Sequence, residues 1–360
     1  MIVSSDTTQV RAGEEIDSAI LDRYLRDHLK ARQTASEAFQ IQIGQFPGGH
    51  SNLTYLVRYG AQEFVLRRPP VGPVAPTAHD ITREFHLLSL IHPAFPLAPK
   101  PLLLCEDLSV LGVPFYLMER RSGLIIRSNA DDILGADLNT RHRLSETVVD
   151  TLADLHAVDI ESSGIVKIGK PEGFVSRQVH GWADRWTRSK TDNLEQMDRV
   201  IQWLVDRIPT GSTSLPTVVH NDFKLDNIML DQRNPSRVVA LLDWEMSTVG
   251  DPLVDVGLFL CYWTMKGGAK ESKSLKAVTD GPGWMTREEI IRHYAAKTGR
   301  DLSGIVFYET FARFKVAVVI QQIYLRYLNG QTRDERFRNF DVLVRELAAE
   351  ALDLAQRSGI

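Results

Sequence analysis

The sequence predicts an α+β chain in two lobes, a small one built on an antiparallel sheet and a larger, mainly helical one. Three observations predict it. Short alternating segments separated by glycine-containing turns crowd into the first 121 residues, helical periodicity dominates from residue 141 onward, and a polar island between two short β-branched runs interrupts that helical half. The change of texture near Arg121 to Gly123 places a small N-terminal sheet lobe, with a helix at its start, at 1–121 and a larger C-terminal helical lobe at 122–360. At 360 residues, 43% of them apolar, the chain is long enough for two cores.

In order along the chain, an amphipathic helix is expected around residues 15–30. The segments "FQIQIGQF", "LTYLVRYG" and "EFVLRRP" read as strands. "TAHDITREFHLLSLI" (77–91) spaces Ile81, Phe85 and Leu88 as a helix does, and "LLLCED" and "VPFYLMER" return to strand character. Beyond the boundary, "RHRLSETVVDTLADLHAVD", a long stretch over 176–208 and three further candidates after residue 252 read as helices.

Composition excludes several function classes. The 42 basic and 46 acidic residues leave a net charge of −4, too little field to recruit nucleic acid or an anionic membrane. Cys105 and Cys261 are the only cysteines, so a disulfide framework or zinc cage is not expected, and both read as small buried residues. No run reaches the roughly 18 apolar residues of a membrane span, and the N-terminal stretch lacks a signal-peptide pattern. The expectation is a soluble, cytoplasmic protein whose oligomeric state the sequence does not reveal.

The polar island is "VVHNDFKLDNIML" (218–230), with His220, Asp222, Lys224, Asp226 and Asn227 between two segments that want burial. Two strands around such a loop predict a hairpin whose tip presents its side chains rigidly. "SRVVALLDWEMSTVGDP" then sets another carboxylate, Asp243, directly after a buried run. Burying a carboxylate without a partner costs several kcal/mol, so Asp243 needs a cation or strong donors. Asn227 and Asp243 offer oxygen ligands for one magnesium ion, leaving Asp222 free to handle a proton.

With these residues in place, the chain resembles a known family. "HNDFKLDN" fits the catalytic-loop spacing of protein kinases, and together with "LLDWE" and "GDPLVDVG" it looks like the aminoglycoside phosphotransferase-like family. The resemblance spans roughly residues 40 to 330 and implies a two-lobed, protein-kinase-like fold, with ATP and Mg2+ as cofactors. It implies that Asp222 orients a substrate hydroxyl and accepts its proton, and that Asn227 and Asp243 bind magnesium. Lys224 either neutralises the transferring phosphoryl group or is a solvated lysine, and His220 braces the loop. Strand alternation puts Val65 and Arg67 on one face, so Val65 is expected over the adenine and Arg67 at the phosphates, paired with Glu84. The family usually has lysine there, and Arg68 is the alternative to Arg67. "GQFPGGHSNLTYLV" lies where a hairpin covers the nucleotide, with Ser51 and Asn52 as phosphate donors, although in isolation it reads as a plain turn. By similarity, the carbonyl of Glu119 and the amide of Arg121 pair with adenine, and Met118 adds apolar contact. Trp182, Trp186, His156, Asp251 and Asp255 read as structural.

The acceptor is expected to be a small-molecule hydroxyl, with no nucleic-acid or membrane partner. Arg177, Arg185, Arg188 and Lys190 outnumber Asp184, and the 313–338 segment is also basic, a poor match for a polycationic aminoglycoside unless these charges form a solvated outer face. "VLRRPP", "REFHLL" and "CEDLSVLGVPFYLMER" look like the kinase-like domains sometimes fused to acyl-CoA dehydrogenases, which implies a hydroxyacyl-CoA acceptor. An aminoglycoside or amino-alcohol kinase and a catalytically silent nucleotide-binding regulator are the alternatives.

Overall fold

The computed structural model describes residues 6–29, 41–47, 52–70, 80–127, 130–135, 137–209, 215–264, 278–279, 281–332 and 334–358. The chain divides into two compact units. One comprises Met1–Gly123 with Val239–Glu245, the other Leu124–Val238 with Met246–Ile360. A single cut after residue 121 therefore does not capture the first unit, because seven residues of the later sequence pack with it.

The first unit contains α1 (Ser18–His28), β1 (Gln42–Gln45), β2 (Leu53–Tyr59), β3 (Gln62–Arg68), α2 (Ile81–Ile91), β4 (Pro101–Cys105), α3 (Leu108–Leu111) and β5 (Phe115–Glu119). The strands form one antiparallel sheet in the order β1-β2-β3-β5-β4. The β2–β3 register closes at Tyr59 opposite Gln62, and the two-residue turn begins at Gly60, whose φ of 61° suits glycine. Alternation then sorts the side chains. Tyr55, Val57, Phe64, Leu66, Phe115 and Leu117 join Leu21 and Leu25 of α1 in one core, which leaves Val65 and Arg67 for the opposite face. Asp17 caps α1 by accepting from the amides of Ala19 and Ile20. Asp80 caps α2, so the helix begins at Ile81, and residues 77–79 of the expected helix lie outside the described residues. Its buried stripe includes Glu84 rather than Phe85.

The second unit contains α4 (Asp131–Leu134), α5 (Leu138–His156), α6 (Phe174–Ser189), α7 (Glu195–Asp206), β6 (Thr217–Val219), β7 (Ile228–Leu230), and, after β8 (Val238–Leu241) has carried the chain into the first unit, β9 (Thr248–Gly250), α8 (Leu253–Thr264), α9 (Arg287–Thr298), α10 (Ile305–Leu328) and α11 (Phe340–Arg357). Helix α10 packs against α6, α8 and α11 at the centre of this unit, and its buried residues run almost unbroken from Ile305 to Gln321.

Two expectations need correction, and the helical 176–208 stretch gains detail. The strands around the polar island are not a hairpin: β6 pairs antiparallel with β9, Val218 opposite Val249, while Leu230 of β7 exchanges backbone hydrogen bonds with Leu124. Phe223 and Leu225 inside the island are themselves buried, so the loop is anchored along its length and its two ends diverge. The 176–208 stretch is two helices, separated where Asp192 and Asn193 supply turn residues. Four α-helices, not three, follow residue 252 among the described residues. None of the described helices is long and apolar enough to cross a membrane, and both cysteines are free and buried.

Candidate active site

In the first unit the site is organised around Arg67. Opposite Tyr116 in the β3–β5 register, Arg67 places Nη1 3.0 Å from Glu84 Oε1 on α2, and Nη2 3.3 Å from both Asp243 Oδ1 and Glu245 Oε2. Burial works against the Arg67 charge, but Glu84, Tyr116, Asp243 and Glu245 outweigh it and hold its pKa above the ordinary value. Burial raises the Glu84 carboxyl, and Arg67 opposes that rise. The neighbouring Arg68 goes elsewhere. Its Nη2 donates to the Glu14 carbonyl at 2.7 Å and the Tyr55 hydroxyl at 2.9 Å, on the α1 face, so the strand register assigns the carboxylate cluster to Arg67 alone.

Glu245 ties this cluster to the β2 entry. Asn52 Nδ2 donates to Glu245 Oε2 at 2.9 Å, so Asn52 is buried beside the arginine cluster, while Ser51, Gly48 and Gly49 lie outside the described residues. Asp243 itself has φ 68°, an uncommon conformation for a residue with a side chain. Its neighbours hold it there. The Leu241 amide donates to the Leu97 carbonyl at 2.9 Å, and Trp244 donates to the Leu241 carbonyl at 2.8 Å and packs edge-on against Phe95.

Val65 and Met118 are cross-strand neighbours, each 8% exposed, and form one apolar patch on the Arg67 face of the sheet. At the end of β5, the Glu119 amide donates to the Lys100 carbonyl, and its carboxylate takes the Lys100 amide and the Arg121 guanidinium. Arg121 also donates to the Pro96 carbonyl at 2.9 Å. These side chains are spent on fixing the chain.

In the second unit the site is the loop after β6. The amides of His220 and Asn221 donate to the two carboxylate oxygens of Asp255 at 2.6 and 2.7 Å. Asp255 lies at the start of α8 and is buried with His156, which in turn bonds the Tyr294 hydroxyl at 2.7 Å. Asn221 has φ 64°, and this turn brings Asp222 out of the strand. Asp222 is then held by Lys224, whose Nζ stands 2.9 and 3.0 Å from its two oxygens. Asn227 Nδ2 donates to both the backbone carbonyl and Oδ2 of Asp222, each at 2.8 Å. Asp251 caps α8 through the Leu253 amide and accepts from the Tyr308 hydroxyl.

The donor chemistry suits magnesium. With its NH2 spent on Asp222, the Asn227 amide has an oxygen left to offer, and the Asp243 side chain is 39% exposed. Hard oxygen donors and few protein ligands are what magnesium takes when phosphates supply the rest. Among the described residues no group of three or more His, Cys, Asp or Glu could hold a metal. Sequence reasoning gave no role to Glu245, Tyr116 or Lys315. Glu245 was visible two residues after Asp243, but the other two carry no motif.

Comparison with known proteins decides the family. The pattern of the phosphotransferase enzyme family matches residues 42–289. The chain belongs to the phosphotransferase enzyme family. A relative within reach of this phosphotransferase chain is mouse acyl-CoA dehydrogenase family member 11, 35% identical over 359 residues, which cover 99% of this chain and 45% of the relative. The chain thus spans less than half the length of that relative. Among solved structures, a Ralstonia eutropha protein described as an aminoglycoside phosphotransferase superposes with a TM-score of 0.79 at 28% identity, covering 95% of this chain and 99% of that one. Choline kinase from Cryptosporidium parvum superposes at 0.63 with 14% identity over 93% of this chain and 98% of its own, a likeness of fold. The phosphotransferase has the α+β architecture of the protein-kinase-like enzymes.

Proposed function

We propose that this phosphotransferase moves the terminal phosphoryl group of ATP to the hydroxyl of a small molecule, and that the acceptor is a hydroxyacyl thioester of coenzyme A. The observation that carries the reading is Asp222: a carboxylate on a loop braced by Asp255, gripped by Asn227 and Lys224, with its side chain 19% exposed. A positioned carboxylate of this kind aligns an attacking hydroxyl and takes its proton late in the transfer. Lys224 supplies a cation beside the base, where negative charge accumulates. In the first unit, Arg67 is the phosphate-binding cation, pinned by Glu84, and Val65 with Met118 offers an apolar face to a purine. Asn227 and Asp243 are the residues that would hold magnesium. When bound, magnesium neutralises phosphate charge and stabilises the leaving oxygen.

Support for the acceptor comes from the charge pattern and from the relative named for acyl-CoA chemistry. Were Arg177, Arg185, Arg188 and Lys190, all exposed on α6 and the residue that follows it, to line the acceptor path, like charges would repel a polycationic antibiotic. The test is an ATP-consumption screen of the purified protein against hydroxyacyl-CoA thioesters, aminoglycosides, amino alcohols and sugars, with Asp222→Ala as the blank. Asp222-dependent turnover on the thioesters is the expected result. Turnover of kanamycin-like compounds with none on the thioesters would overturn the acceptor assignment.

A further inference from the structure

From the basic 313–338 segment, Lys315 reaches the catalytic loop with a hydrogen bond. Other cations of that segment meet surface carboxylates, Arg313 with Glu350, Arg336 with Asp334 and Arg338 with Glu335. Lys315 instead points inward from the middle of α10 and is 4% exposed. Its Nζ donates to the backbone carbonyl of Asn221 at 2.9 Å and lies 5.5 Å from the centre of the Trp182 ring. The Arg185 guanidinium lies 4.4 Å from that same ring, and Lys315 forms no ion pair among the described residues.

An ammonium without an ion-pair partner is an expensive group to bury, and a methionine of similar length would fill the same space without that cost. Its location suggests what the cost is retained for. Asn221 is the left-handed residue immediately before Asp222, and three elements hold it: α8 through the Asp255 carboxylate on its amide, the segment before β9 through the Met246 carbonyl on its side chain, and α10 through Lys315 on its carbonyl. Fixing both amide and carbonyl of a strained residue fixes the direction in which the next side chain leaves.

Resting on the phosphotransferase reading, we propose that Lys315 is a positioning residue of the reaction, whose charged donor on the Asn221 carbonyl locks the turn that presents Asp222. It acts through the loop and touches no substrate. The charged groups around it are Asp222 and Lys224 on the loop, Asp255 on α8 and Arg185 on α6. Burial, the largest influence, together with the two cations, outweighs the two carboxylates and brings its pKa down to about 8. The clamp therefore has its full charge below that pH and loses it above.

The test compares the full-length wild type with Lys315→Met. At pH 7, amide hydrogen exchange of the peptide over residues 218–227 is expected to lose about tenfold in protection, the effect of removing one charge-assisted hydrogen bond. The thermal midpoint should hold or rise, because the buried charge is gone. Unchanged protection, or a loss matched by a lower midpoint, would overturn the proposal, since that is what a packing residue does. On any acceptor with Asp222-dependent turnover, kcat should fall about tenfold with the KM for ATP unchanged. The wild-type decline in kcat above pH 8 should be absent from the variant, and a wild-type kcat profile in Lys315→Met would overturn the proposal. If the wild type turns over no acceptor, the phosphotransferase reading is what fails, and the exchange data alone decide the clamp.

Discussion

Adjacent arginines on one strand show how much a single residue of register decides. Arg67 faces three carboxylates and Arg68 faces the Glu14 carbonyl and Tyr55, because consecutive side chains of β3 leave opposite faces of the sheet. Arg67→Ala should weaken ATP binding at least about tenfold and also lower stability by about 3–5 kcal/mol, since Glu84 is left buried beside Asp243 without its cation. Arg68→Ala should lower stability while leaving ATP affinity near wild type. Calorimetric ATP titration and urea unfolding of both variants check this pair, and the reverse pattern would exchange the two roles. At this scale the sequence was most legible where chemistry demanded a fixed local spacing. Asp222, Lys224, Asn227 and Asp243 could be named because their neighbours fix the motif. Lys315 could not, because it reaches Asn221 across 94 residues from a helix whose pattern shows only burial.

Helix α8 links packing to the loop. Its first turn carries Asp255, which accepts the His220 and Asn221 amides, and two residues later Gly257 lies against the backbone of α10. A Cβ added at Gly257 would stand 2.6 Å from both the carbonyl carbon and the oxygen of Tyr308, so the two helices could approach this closely only at glycine. Gly257→Ala should therefore cost about 1–3 kcal/mol despite alanine's better helix propensity, and it should lower turnover by displacing Asp255. Urea midpoints alongside turnover would check it; a stabilised variant would contradict the close contact. The strands of the first unit were readable from alternation, because one face of a sheet must be buried. The pairing of β6 with β9 was not. Both are three residues long, and an apolar run specifies burial without specifying which other run lies beside it. The break between α6 and α7 was present as Asp192 and Asn193, but the helical residues on both sides masked it.

For the whole molecule, two kinds of behaviour follow from how the units are composed. The first unit needs Val239–Glu245, which supplies Asp243 and Glu245 to Arg67. A fragment of residues 1–123 should thus be less stable than the same fragment joined by a linker to 239–245, as circular dichroism during thermal unfolding would show. The chain boundary visible in the sequence could not reveal this return, because a short apolar run such as β8 and the motif after it specify burial and chemistry without specifying which unit they pack with. Stability should also respond to pH through Lys315. Its pKa is about 8 in the folded protein against an ordinary 10.5, so between those values the unfolded chain binds a proton that the folded chain does not. Stability from this group therefore rises with pH across that window, by up to about 3 kcal/mol, and is lowest below pH 8. Urea unfolding from pH 7 to 10.5 should show the slope in wild type and lose that component in Lys315→Met. The claim that Asp222 directs phosphoryl transfer to an alcohol is tested most directly by product stoichiometry. With ATP, magnesium and a hydroxyacyl-CoA, wild type should form one phosphorylated thioester per ADP, seen by 31P NMR, and Asp222→Ala should do so at least about 100-fold more slowly. Free phosphate released in step with ADP, or an unchanged rate in Asp222→Ala, would contradict it.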